Sequence, residues 1–314
     1  MTEQLGYRKV KFSKRLRRDF KLNGGLYVLA IIPFVYLILF KYWPMYGIQI
    51  AFKNYKVAKG IEGSAWVGLD NFARYFRSPM CWPTIRNTLI MGIYSLACFP
   101  LPILLAICLN YLPGRFFRKS VQMVSYIPHF ISTVVMVGML LQFTNKNYGM
   151  FNTIREAFGA EKINYMAKPA YFYHLYQWSG VWQNIGYSSI IYISALTAVP
   201  NELHEAATID GASLVKRIFH VDLPCILPTV AILLILQSGS ILNVGYEKVY
   251  LMQNNLNTKV SEVISTYVYK QGLESSSPQY SYSTAIDLFV SIVNASMMLL
   301  VNGLSKCLSD NSLM

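Results

Sequence analysis

Charged side chains are scarce in this sequence. Fifteen acids and 28 Lys/Arg make up only 14% of 314 residues, against roughly 25% in a soluble domain. That shortage excludes a disordered chain and a nucleic-acid module of ordinary composition. Cysteine is scarce too. The five are scattered, with Cys98 and Cys108 inside an apolar stretch and no C-x-x-C pair, so neither a disulfide framework nor a thiolate metal site is supported. The four histidines (His129, His174, His204, His220) show no i, i+4 pairing around a carboxylate, which argues against zinc. No G-x-x-x-x-G-K-[ST] string occurs, so the chain lacks that backbone cradle for nucleotide phosphates. What abounds is apolar: 54% of residues, mean hydropathy +0.34.

These apolar residues are gathered. About 20 helical residues cross a hydrocarbon core about 30 Å thick, and six stretches meet that length: 25–44, 87–112, 120–143, 174–199, 225–245 and 284–304. The fourth is the weakest, interrupted by Trp178, Gln183, Asn184 and Ser188. Pro33, Pro100, Pro102 and Pro128 lie inside spans, where membrane helices tolerate proline if neighbours re-satisfy the freed backbone groups. The expected class is therefore an all-α polytopic membrane protein with six transmembrane helices. Domains divide into a basic tail 1–24, a first helix 25–44, an outer segment 45–83, a five-helix core 84–304 with an inner loop 200–224, and a tail 305–314.

An even count puts both termini on one side. The first 24 residues carry eight Lys/Arg against two acids, which predicts cytoplasmic termini. Over all loops, Lys/Arg tie at 14 on each side; the inner loops are shorter, so their density still favours this orientation. The basic tail reads as a topology signal and an attraction to anionic lipid, ahead of nucleic-acid binding. The apolar run after it is followed by Lys41-Tyr42-Trp43-Pro44, without a small-x-small cleavage site, and is expected to stay as an anchor.

The inner loop between spans four and five stands apart. Asn201 is expected to cap a short helix, with Glu202 in its first turn where the dipole favours an anion. The helix is expected to break at Gly211. A second helix carries Leu214, Ile218 and Val221 and is expected to end at Leu223-Pro224. Ala206, Ala207 and Gly211 give the first helix a face with little side-chain bulk, flanked by Glu205 and Asp210. Such a peg suits docking and not catalysis; an amphipathic connector on lipid headgroups is the plainer alternative.

Glu205-Ala206-Ala207, then Gly211, then nine residues and Val221-Asp222-Leu223-Pro224 resembles the EAA loop of ABC-importer permeases: E-A-A, three residues, G, nine residues, I-x-L-P. Val221 for isoleucine is the one departure. Further strings are similar to the carbohydrate branch, in the aldouronate- or oligogalacturonide-type polysaccharide importers. They include Ala51-Phe52-Lys53-Asn54-Tyr55, Gly68-Leu69-Asp70-Asn71-Phe72, Tyr126-Ile127-Pro128-His129-Phe130-Ile131-Ser132 and Gly245-Tyr246-Glu247. Asp287, where glycine is expected, departs from it.

The resemblance implies a type I ABC-importer permease fold in a bacterial cell membrane. It implies half of a sugar pathway, completed by a second permease chain. Two ATPase subunits would bind ATP and Mg²⁺, leaving this chain without a cofactor or catalytic role, and an extracytoplasmic solute-binding protein would deliver the oligosaccharide. Glu205, Ala206, Ala207, Asp210 and Gly211 would couple to the ATPases.

Polar groups inside spans are costly unless they face protein or a wet cavity, and sugar rings pack on aromatic faces. Tyr126, Gln183, Asn184, Tyr187, Gln237, Ser238, Ser240 and Asn243 are therefore the candidates for lining the pathway; interhelical hydrogen bonding is the competing use. Outer loops carry 14 Lys/Arg against eight acids, a modest attraction for anionic cargo such as uronates. A secondary carrier is the leading rival; it needs intramembrane acids or broken helices for ion coupling, and Asp287 is the one mid-span candidate. A polytopic enzyme is the third reading; it needs a clustered His/Asp/Glu or Ser/Lys constellation facing one side, and none is apparent.

Overall fold

A computed structural model describes residues 12–308, with side chains described over 22–306. Most of the basic tail, the end of the 305–314 tail and Cys307 lie outside the described side chains. The order is α1 (Phe12–Leu37), β1 (Lys53–Lys56), β2 (Gly60–Trp66), α2 (Asp70–Arg77), α3 (Cys81–Ala97), α4 (Pro100–Tyr111), α5 (Arg115–Tyr126), α6 (Thr133–Phe143), α7 (Met150–Ala157), α8 (Pro169–Thr197), α9 (Asn201–Ile209), α10 (Leu214–Arg217), α11 (Leu223–Ser238), α12 (Tyr246–Met252), α13 (Thr258–Ser261), α14 (Ile264–Tyr269) and α15 (Tyr280–Leu308). Helix dominates. The outer segment contains an antiparallel hairpin in which Lys53 pairs with Trp66, a departure from an all-α chain.

Among the described residues, four helical segments are long and apolar enough to cross a membrane: Leu22–Phe52, Cys81–Tyr111, Leu214–Ser238 and Tyr280–Lys306. The expected span at 120–143 is instead two helices, Arg115–Phe130 and Thr133–Phe143, bent by 99°. Pro128 sits in a short 3₁₀ turn there, and the Ser132 hydroxyl accepts the Val135 N–H to start α6 afresh. Counted as one, this broken pair is a fifth span. α8 has the length, 29 residues and so about 43 Å, but its amides and hydroxyls keep it below the apolarity of the others.

Proline also shapes two other spans. Pro224 has no N–H for the His220 carbonyl. The chain answers with a π turn over Ile218–Asp222, closed by Leu223 N–H on Ile218 O. The second helix of the inner loop therefore runs through Leu223-Pro224 into the next span and does not stop there. The same device precedes Pro44, where Trp43 N–H reaches Ile38 O across the π turn Ile38–Tyr42.

The bundle is tied by close approaches. α4 lies along α8, and α15 packs on α2, α11 and α14. Gly186 lets α8 touch α5, since a Cβ there would sit 2.0 Å from the Ser125 carbonyl oxygen. One core, Ile103, Ala106, Ile107, Tyr192, Leu196 and Ile226, joins α4, the end of α8 and the start of α11. Both ends of the inner loop are therefore anchored in a single packed block. The helix Leu22–Phe52 is the opposite case, its most apolar stretch unburied by the rest of the chain.

Candidate functional site

The inner loop forms a short exposed rod. α9 begins from Pro200, whose φ of −60° and ψ of 132° are extended, with no side-chain cap; Asn201 is the first helical residue and does not cap it. Proline's fixed φ suits this entry, and Glu202 stands in the first turn. At the other end Gly211 takes φ +71°. Ala212 N–H bonds Ala207 O at 2.8 Å and Gly211 N–H bonds Thr208 O at 3.1 Å, the paired closure that a left-handed residue permits at a helix C-terminus. The Ser213 hydroxyl then caps α10. Sharp ends on both sides make α9 a fixed object.

Its surface faces outward. Glu205, Ala206 and Asp210 are exposed and Ala207 half-buried. Ile209 is 86% exposed, and Val215 and Phe219 on the following helix are exposed as well. A Cβ at Gly211 would meet nothing in this chain. Of the expected coupling residues, Glu205, Ala206, Asp210 and Gly211 are thus exposed and Ala207 is half-buried.

The rod is pinned from beneath by residues not singled out from the sequence. Asp222, fully buried, lies 3.4 Å from His204 Nε2 on α9. Its other carboxylate oxygen accepts the Tyr111 hydroxyl at 2.5 Å. Arg217 donates to the Thr208 hydroxyl at 3.4 Å, and that hydroxyl donates to His204 O at 2.7 Å. One carboxylate therefore joins α9, the end of α4 and the root of α11. A buried acid is normally retained only with such partners. The only sequence signal was an acid in the variable position of Val221-Asp222-Leu223-Pro224.

Higher in the bundle lies a cavity of about 770 Å³, within the range of ligand pockets. Gln183, Asn184 and Tyr187 on α8 and Gln237 on α11 line it; Tyr126, Ser238, Ser240 and Asn243 do not. Gln183 donates to Ile131 O at 2.7 Å, in the break between α5 and α6. Gln237 donates to Ser95 O at 3.2 Å. Asn184 Oδ1 lies 3.0 Å from His129 Nδ1, and His129 stacks on Tyr187 with centroids 3.9 Å apart. His129, unselected from the sequence, thus orients two of the cavity residues.

The others bond elsewhere. Ser238 is buried against Ile235 O at 2.9 Å, Ser240 bonds Gln237 O at 3.0 Å, and Asn243 accepts from Asn294 at 3.0 Å. Tyr126 is half-buried beside Ser189.

Comparison with known proteins agrees with this architecture. The chain is 42% identical over 299 residues to the polygalacturonan/rhamnogalacturonan transport system permease protein YteP of Bacillus subtilis, covering 94% of this chain and 92% of that one. It is 37% identical to protein LplB of the same organism, over 91% and 90% of the two chains. Among solved structures, it superposes on a chain of a bacterial ABC transporter that imports the acidic polysaccharide alginate. The TM-score is 0.85 at 34% identity, covering 94% of this chain and 99% of that one. A second structure of a bacterial alginate transporter, in complex with an alginate pentasaccharide-bound periplasmic protein, gives 0.86 at 33% identity over 95% and 100% of the two chains. The model of one family matches residues 99–310, and with these relatives it establishes that the chain belongs to the binding-protein-dependent transport system inner membrane components.

Proposed function

We propose that the chain is one of two membrane subunits of an ATP-driven importer of acidic oligosaccharides. The observation that carries the coupling part is the exposed rod Asn201–Ile209, closed at both ends and anchored in one packed block. Two ATPase subunits bind ATP and Mg²⁺, and each receives one permease's rod in a surface groove, α9 of this chain being one of the two. Their closure tilts α8 and α11 as rigid bodies, and this chain itself performs no catalysis. Glu205 sets the register of the docked rod; Ala206, Ala207, Asp210 and Gly211 form the surface that meets the groove.

In this reading α8 is the remaining span, giving six with both termini cytoplasmic. The helix Leu22–Phe52, whose most apolar stretch is unburied by this chain, offers that face to the second permease. Acidic cargo is supported by the names of the relatives, which transport polygalacturonan, rhamnogalacturonan or alginate. A solute-binding protein hands the sugar to the cavity, where Gln183, Asn184, Tyr187 and Gln237 meet it.

Co-purification in mild detergent tests the proposal. An ATPase subunit, a second permease and, with sugar present, a solute-binding protein are expected to accompany the chain, and uptake is expected to stop when ATP is depleted. Uptake that persists without ATP, driven by an ion gradient, means a secondary carrier.

A further inference from the structure

The pathway cavity contains one feature that sugar hydroxyls do not require. Among its lining residues the only charged side chain is Lys248; the rest are apolar, aromatic, hydroxyl or amide. Lys248 sits on α12, where Val249 and Met252 are buried in the core and so fix the helix that carries it. Its ammonium reaches α8, donating to Tyr176 O at 2.7 Å and lying 4.5 Å from the centre of the Tyr176 ring. Gly180 leaves it room, since a Cβ there would stand 3.1 Å from Nζ.

This cation lacks an anion. Among the described residues the ion pairs are Lys162 with Glu156 and Lys270 with Glu262, His204 also lies beside Asp222, and none of these includes Lys248. An ammonium has three donors, and a carbonyl and an aromatic face do not neutralise it. Burial pulls its pKa down from the usual lysine range to about 8, the direction expected of a desolvated cation without a partner. A neutral oligosaccharide needs no such group, whereas the carboxylate of a sugar acid would supply the missing charge.

We propose that Lys248 is the carboxylate-recognising residue of this cavity and that it selects uronate-containing oligosaccharides over neutral ones. Gln183, Asn184 and Gln237 then serve hydroxyls, and Tyr187, held flat on His129, offers a ring face. The assignment deepens the proposed function and rests on its acidic cargo. Lys248 counted in the sequence as one more outer-loop charge; only the fold of α12 against α8 brings it to the cavity.

The test must separate charge from tether, because the bond to Tyr176 O also holds α12 to α8. Lys248→Gln keeps an N–H donor and removes the charge; Lys248→Arg keeps both. Assembled importers with each variant would be assayed for uptake of a labelled galacturonate trisaccharide and of its uncharged methyl ester, at equal abundance in the membrane. The acid-to-ester uptake ratio is expected to fall about ten-fold or more in Lys248→Gln and to be largely kept in Lys248→Arg, the scale expected when one partner of a desolvated charge pair is removed. Titration of the detergent-purified complexes with the same two sugars is expected to show the same loss for the acid.

An unchanged ratio and affinity in Lys248→Gln, or an equal loss in Lys248→Gln and Lys248→Arg, would overturn the assignment while leaving the cargo reading in place. If the unsubstituted importer takes up neutral oligosaccharides and no galacturonate, the cargo reading falls first and this assignment with it.

Discussion

Gly211→Trp is expected to give an importer that inserts and assembles but hydrolyses ATP without moving sugar, with uptake down about ten-fold or more. Two effects act together. The left-handed backbone at φ +71° costs a side-chain-bearing residue roughly 1–2 kcal/mol, loosening the closure through Ala212 and Ala207. The indole also adds bulk to the face proposed to enter the ATPase groove. Gly211→Ala separates them, carrying most of the backbone strain and little of the bulk, so it is expected to keep most uptake.

Glu205→Lys reverses an exposed charge. It is expected to uncouple similarly without lowering thermal stability, because the reversed charge lies on the exposed face proposed to dock and not in the core. Uptake and ATPase activity measured on the same proteoliposomes check both variants. Coupled, wild-type transport in Gly211→Trp contradicts the role given to the loop.

The second large effect is expected at Asp222. Asp222→Ala removes the carboxylate that holds His204 and the Tyr111 hydroxyl and leaves both without that acceptor in a packed region. Stranding a buried polar group costs about 1–3 kcal/mol, so both melting temperature in detergent and uptake should fall. Asp222→Asn keeps the shape and an acceptor for Tyr111 but not the charge facing His204, and should lie between. Tyr111→Phe loses one hydrogen bond, about 1 kcal/mol, and should be mild. The order Ala, Asn, Phe, from worst to best, separates a mechanical joint from general burial. Equal uptake per folded molecule in all three removes Asp222 from the coupling path.

The rod was legible from sequence because its small face and the glycine that can take positive φ are local features, although its entry is Pro200 and not the expected Asn201 cap. Length and apolarity likewise located the spans of α3 with α4, of α11 and of α15. What sequence missed depends on groups far apart in the chain. Pro128 looked like a tolerated membrane proline, yet with Ser132 free to cap a new helix it ends one helix and starts another. Pro224 looked like a stop, but a π turn absorbs its missing donor. Asp222 is 111 residues from Tyr111, and no periodicity announces such a pair. Ser238, the last residue of α11, and Asn243, beyond the end of that helix, bond within the bundle and do not line the cavity.

The most direct test of the account places the photo-reactive benzoylphenylalanine at Ile209, the outermost apolar residue of the rod, and irradiates the assembled importer. The account predicts a cross-link to an ATPase subunit whose yield changes when ATP closes the pair. Cross-links to lipid alone, or to the solute-binding protein, would contradict it.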